Sequence, residues 1–135
     1  MKKKSILLYS CFLLSMPLMA QQNHASDSKA QNKALRDSLA AATNVLAYHP
    51  DSATAFAARG GMEREKNQLE LAEYDYAKAM QLDAQNSDYV INHLDLLILL
   101  DRKNEAYDDI GRLQKMGFKS GQLQDFYARL RKKKK

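Results

Sequence analysis

The chain carries one cysteine, Cys11, and two prolines, Pro17 and Pro50, in 135 residues. The cysteine lies inside an apolar run that ends at Met19. A chain cut after Ala20 therefore holds no thiol, which excludes disulfides and thiol chemistry from it. No segment alternates apolar and polar residues with the period of a strand, and no hairpin-turn signal appears, which argues against a sheet. There is no glycine loop built to cradle a phosphate, no nucleophile motif and no metal-ligand spacing.

The three histidines do not converge. His24 falls in a polar stretch, and His49 precedes Pro50 in a turn. His93 falls on the inward side of a helix among leucines, where a hydrogen-bonded core imidazole is expected. Glu63 and Glu65 lie two residues apart on a helix and point to different faces, while the adjacent Asp108 and Asp109 are expected to be solvated. With no convergent polar constellation, the sequence reads as a non-enzyme with no catalytic residue, no metal and no cofactor.

A long membrane-spanning run is also missing. The stretch from Ile6 to Met19 is about 14 residues, broken by Ser10, Ser15 and Pro17, whereas a spanning helix needs roughly 20. Lys2, Lys3 and Lys4 precede it, and Ala20 followed by Gln21, Gln22 and Asn23 closes it, the layout of a secretory signal peptide over residues 1–20. The expectation is export to a periplasm or the exterior, with no transmembrane segment in the mature chain. Lipidation at Cys11 is disfavoured, because cutting there leaves Phe12 to Met19 as an exposed apolar stretch. Residues 21–32, rich in Gln, Asn, Ser and Asp, read as a flexible polar lead-in.

What is present is helical periodicity. Leu35, Leu39, Ala42 and Leu46 recur at three- to four-residue steps, as do Leu69, Ala72, Tyr76 and Ala79. His49 to Ser52 stop one helix and offer a cap for the next, Asn67 and Asn86 are further candidate caps, and Gly117 to Ser120 separate the last pair. The stronger signal is an echo: Phe56, Gly60, Ala72, Tyr76 and Ala79 return 34 residues later as Val90, Leu94, Ala106, Ile110 and Leu113. A fixed period of this length marks an array whose units bury their apolar faces only by stacking. Alanine at 72 and 106 lets paired helices approach closely.

These positions resemble the tetratricopeptide repeat, with an aromatic and a glycine on a first helix and an alanine and an aromatic on a second. The first copy departs from that pattern at Arg59, Glu63 and Ala84. Ser38, Ala42, Val45 and Pro50 match the second helix of an earlier copy, and Leu123, Tyr127 and Leu130 suggest the first helix of a later one. The resemblance spans residues 33–130, with repeats near 53–86 and 87–120. It implies an all-α fold of about six helices in antiparallel hairpins stacked as a short solenoid, and a basic tail at 131–135.

In that geometry the first helix of each pair lines a concave groove. The resemblance places Thr54, Ala57, Ala58, Gly61, Arg64 and Glu65 there from one unit, and Asp88, Ile91, Asn92, Asp95, Ile98 and Leu99 from the next. Tyr89 to Leu100 is apolar nearly all round, so after Val90, Leu94 and Leu97 are assigned to the core, Ile91, Ile98 and Leu99 still need cover. Either neighbouring helices, including one carrying Phe126, fold over them, or a partner peptide does, with Arg64, Asn92 and Asp95 orienting it. The implied role is an exported interaction module that binds a protein or peptide. The alternative is a self-associating envelope subunit.

Charge adds a qualification. The formal net of +5 is concentrated at the ends, and residues 21–128 hold 12 basic against 16 acidic side chains, a net of −4. Arg129, Arg131 and Lys132 to Lys135 read either as a tether to an anionic surface or as a solvated helix end. Because the run lacks interleaved aromatics, no nucleic-acid partner is expected.

Overall fold

The computed structural model describes residues 18–132, with side chains from residue 27 onward. Residues 1–17 of the expected signal peptide and the lysines after Lys132 lie outside the described residues. The chain divides into a unit ending at Leu35 and a second unit beginning at Arg36. The fold is all-α, with six helices and no strand among the described residues: α1 Leu18–Tyr48, α2 Ala53–Glu65, α3 Leu69–Leu82, α4 Ser87–Leu99, α5 Lys103–Lys115 and α6 Gln124–Arg131.

Residues 21–32 are drawn into α1, which begins well ahead of position 33. Within that segment no proline or glycine interrupts the run of Ala, Gln, Lys and other residues that a helix tolerates, so nothing stops propagation toward the N-terminus. None of the described helices is long and apolar enough to cross a membrane.

In the second unit, α2 packs on α3, α4 on α5, and α3 on α4, so successive antiparallel hairpins stack in chain order, with α6 against α4. The 34-residue echo is carried into the helix boundaries. Ser52 and Asn86 are the N-caps of α2 and α4: the Ser52 hydroxyl accepts from the Ala55 amide at 3.2 Å, and the Asn86 carbonyl from the Asp88 amide at 3.1 Å. α3 starts at Leu69 and α5 at Lys103, again one period apart.

The ends of the first helices match as well. Asn67 and Asp101 take left-handed conformations, φ 58° and 60°. The amides that follow them, of Gln68 and Arg102, donate back to the carbonyls of Glu63 and Leu97 at 2.8 and 2.9 Å, closing the last turn. Asn67 is thus the reversal after α2 and not the cap of α3, whose N-cap is Gln68 with no side-chain cap bond. A short polar side chain tolerates the left-handed region, which is why an asparagine there resembles a cap signal in sequence. Gly117, φ 96°, ends α5 in the same way, with the Phe118 amide donating to Leu113 at 3.0 Å.

The repeat positions form the core. Ala72, Ala79, Leu94, Ala106 and Leu113 are completely buried, with Gly60, Tyr76, Val90 and Ile110 close to it and Phe56 half-buried. Close approach explains Gly60, because a Cβ there would lie 3.2 Å from the Ala72 carbonyl oxygen, the Asp75 Cβ and the Tyr76 ring. α2 and α3 are accordingly the closer-packed pair, since Leu94 stands where Gly60 does in the next hairpin. Leu123 and Leu130 are buried around α6, with Phe126 and Tyr127 packed alongside.

The earlier half-unit keeps only part of its pattern. Ala42 and Leu46 are buried, but Ser38 is exposed and Val45 is 43% exposed. Of their counterparts, Ala72 packs against α2 and Ala79 lies in the main core cluster, and among the described residues no helix precedes α1 to give the first half-unit the same cover.

Candidate functional site

The residues expected to line a groove come from α2 and α4, and two ion pairs place α2, α4 and α6 side by side. Asp95 on α4 receives Arg64 of α2 at 3.7 Å on one oxygen and Arg129 of α6 at 2.6 Å on the other. The Arg129 guanidinium also stacks over Phe126, 5.7 Å from the ring centroid, and lies 3.6 Å from Asp125. Arg129 therefore belongs to the body of the fold and not to a loose basic tail. The Nε of Arg131 donates to the Tyr127 carbonyl at 3.2 Å.

Along this face Asp88 is exposed in the first turn of α4, where its charge complements the helix N-terminus. Asn92 donates from Nδ2 to the Asp88 carbonyl at 2.8 Å, leaving its amide oxygen uncommitted among the hydrogen bonds of the described residues. Ile91 and Ile98 are half-buried and packed against the main core cluster, together with Phe56, Ala57 and Phe126. Leu99 stays 43% exposed. Neighbouring helices thus cover Ile91 and Ile98 in part. On the α2 side the surface is low, with Ala57, Ala58 and Gly61 giving little relief and the Tyr76 hydroxyl 3.4 Å from where a Cβ on Gly61 would stand.

A second constellation lies between the helices of each hairpin. Arg59 reaches Asp75 through two bonds, Nε to Oδ2 at 2.6 Å and Nη2 to Oδ1 at 2.7 Å, and Asp75 is only 1% exposed. Arg59 also lies over the Phe56 ring at 5.6 Å. One period later His93 takes the place of Arg59 and Asp109 that of Asp75, with Nδ1 to Oδ2 at 2.6 Å. Asp109 is 3% exposed, contrary to the expectation that it is solvated with Asp108. It lies on the face of α5 turned to α4, while Asp108, one residue earlier, points out.

His93 is held from the other side too. Its Nε2 lies 3.1 Å from Glu73 Oε1, and Glu73 Oε2 lies 3.2 Å from Arg102, which is also paired with Glu105. Both ring nitrogens are thus occupied by carboxylates. Burial lowers the imidazole pKa, but the bond and charge of Asp109 and then of Glu73 outweigh it, so the net movement is upward from 6.5.

Glu63 is the remaining buried acid, 8% exposed, with Oε2 lacking a hydrogen-bond partner. Burial first, and the neighbouring Asp75 second, push its carboxyl up to about 7 against the pull of Arg59.

Arg59 and Glu63, which in sequence look like departures from the repeat pattern, are therefore elements of this polar core. The available signal was the spacing itself: a cation or imidazole, then an aspartate 16 residues on, in both copies. No protein-family model and no curated protein matches the chain.

Proposed function

We propose that the protein is an exported repeat module of tetratricopeptide type that holds a protein or peptide partner along the face built from α2 and α4. It is an adaptor and not an enzyme. The observation that carries this reading is the in-phase start of α2 and α4, one period apart, which turns their leading faces the same way. Asp88, Asn92 and the exposed part of Arg64 supply polar contacts on that face, Asp95 holds Arg64 and Arg129 in place beneath them, and Leu99, with the exposed edges of Ile91 and Ile98, supplies apolar ones. Export rests on Lys2 to Lys4, the apolar run after them and Ala20.

Leu99→Glu and Asn92→Glu test the groove, because neither side chain is part of the buried core. Crosslinking of the tagged chain in its native cells followed by mass spectrometry identifies the partner, and both variants should lose that crosslink while keeping their helical circular dichroism. Retention of the crosslink in both would place the binding face elsewhere.

Self-association is the second reading, favoured by the exposure of Val45 where its repeat counterpart Ala79 is fully covered. Light scattering of the purified chain separates the two, since a mass independent of concentration and equal to one chain excludes the oligomer.

A further inference from the structure

His93 sits in the middle of α4, 8% exposed, with a carboxylate oxygen on each ring nitrogen. An ionised carboxylate only accepts hydrogen bonds, so both contacts are bonds only when both nitrogens carry protons. A neutral imidazole donates from one nitrogen and turns a lone pair toward whatever faces the other.

The two acids belong to different hairpins. Asp109 is on α5, in the same hairpin as His93, whereas Glu73 is on α3, in the hairpin before. We propose that His93 is a proton-operated latch between the hairpins: the doubly protonated ring ties α3 to α5, and loss of one proton releases Glu73 while the Asp109 bond keeps the second hairpin closed.

The geometry decides which tie goes. The Asp109 contact is the shorter, 2.6 against 3.1 Å, and the Asp109 side chain is 4% exposed against 18% for Glu73. Once the imidazolium is gone, Glu73 keeps only the Arg102 guanidinium at the start of α5, 39% exposed and shared with Glu105, so α3 is left held to the second hairpin by a solvent-screened pair in place of the buried one. Charged groups face α4 from each helix packed on it. From α3 comes Glu73, and from α5 and its start come Asp109, Arg102, Glu105 and Arg112, the last 3.8 Å from the other Asp109 oxygen. The α6 charges Arg129 and Asp125 and the α2 charge Arg64 gather at Asp95, on the same helix as His93.

The balance of these groups holds the proton on the ring above the ordinary 6.5 of a free imidazole. A group with its folded pKa raised contributes fully below its unfolded value and loses that contribution as pH rises through its folded one. The latch is therefore closed in acid and opens on the alkaline side. The Arg59–Asp75 strut of the first hairpin has no such response, because Arg59 stays charged throughout; the pH response of that hairpin comes from Glu63, whose buried carboxyl is pushed up to about 7.

The test is a nitrogen-detected NMR titration of the full chain carrying His24→Gln and His49→Gln, so that His93 is the only imidazole, and Glu63→Gln, which removes the buried acid that titrates at about 7 beside α3. The expected result is a midpoint above 6.5 and, beyond it, a neutral ring with its proton on Nδ1. Amide protection on α3 and the facing side of α4 should fall across that midpoint while α5 keeps its own. Glu73→Gln should move the midpoint down and make the protection of α3 indifferent to it. A midpoint at or below 6.5, a neutral ring protonated on Nε2, or α3 and α5 loosening together would overturn the latch. The tautomer decides the matter even if the Glu73 variant does not fold.

Discussion

Asp75 and Asp109 stand one repeat apart, each almost wholly buried on the second helix of its hairpin, and each accepts a 2.6 Å bond from a residue 16 positions earlier on the first helix. In one hairpin the donor is a permanent cation, Arg59, and in the other a titratable one, His93. The same polar strut thus recurs with different chemistry, and the two hairpins are expected to differ in their response to mutation and to pH.

Asp75→Ala takes both hydrogen bonds from the Arg59 guanidinium and leaves only the buried Glu63 carboxyl near it. Removing one partner of a buried pair costs about 3–5 kcal/mol, and with Arg59 22% exposed the loss should fall near ~3 kcal/mol. Chemical denaturation measures it. The double variant Arg59→Met with Asp75→Leu should recover most of that loss at pH 5, where the buried Glu63 keeps its proton and no charge is left unpaired.

Two glycine substitutions should move in opposite directions. Gly60→Ala puts a Cβ 3.2 Å from a backbone oxygen that cannot turn aside, and should lower stability by about 1–2 kcal/mol despite the better helix propensity. Gly111→Ala, on α5 with nothing within 4 Å of the new Cβ, should raise it by up to about 1 kcal/mol. Thermal unfolding of the pair distinguishes close approach from propensity.

Glu63 makes the first hairpin sensitive to pH in its own way. Its carboxyl titrates at about 7 when folded against an ordinary 4.5, so the folded state binds the extra proton between those values and stability falls as pH rises through them. Glu63→Gln should unfold at a higher temperature than the parent chain at pH 8 and at the same temperature at pH 4. An equal gain at both would show that the charge is not the cause.

Leu97 and Leu99, neighbours but one on α4, should separate core from surface. Leu97→Ala removes a side chain that is completely buried and should cost about 2–5 kcal/mol. Leu99→Ala, at 43% exposure, should stay within about 0.5 kcal/mol by the same denaturation.

Much of the fold was legible because stacking imposes one requirement at a fixed interval. Gly60, Ala72 and Ala106 are small where helices touch, and Leu94, Ile110 and Leu113 are apolar in the core that α4 and α5 share, so the pattern survives in a linear reading. The caps Ser52 and Asn86 were legible for a similar reason, since their hydrogen bonds are made to amides two or three residues away. The polar struts were not. A charged residue has no apolar period to announce it, and Arg59, Glu63 and Asp109 look like surface residues until the helix that buries them is in place.

The groove divides along the same line. That Arg64, Asn92 and Asp95 share the leading side is what the repeat resemblance implies. Only the tertiary structure brings Arg129 back across 34 residues to neutralise Asp95 and lays α6 beside α4, so that a charge seemingly offered to a partner is already held from within. Local sequence determines which helices form and where they stop, because capping and periodicity act over a few residues. Which charges are solvated, paired or buried depends on the long-range packing of helices, which alone sets how much water each one loses.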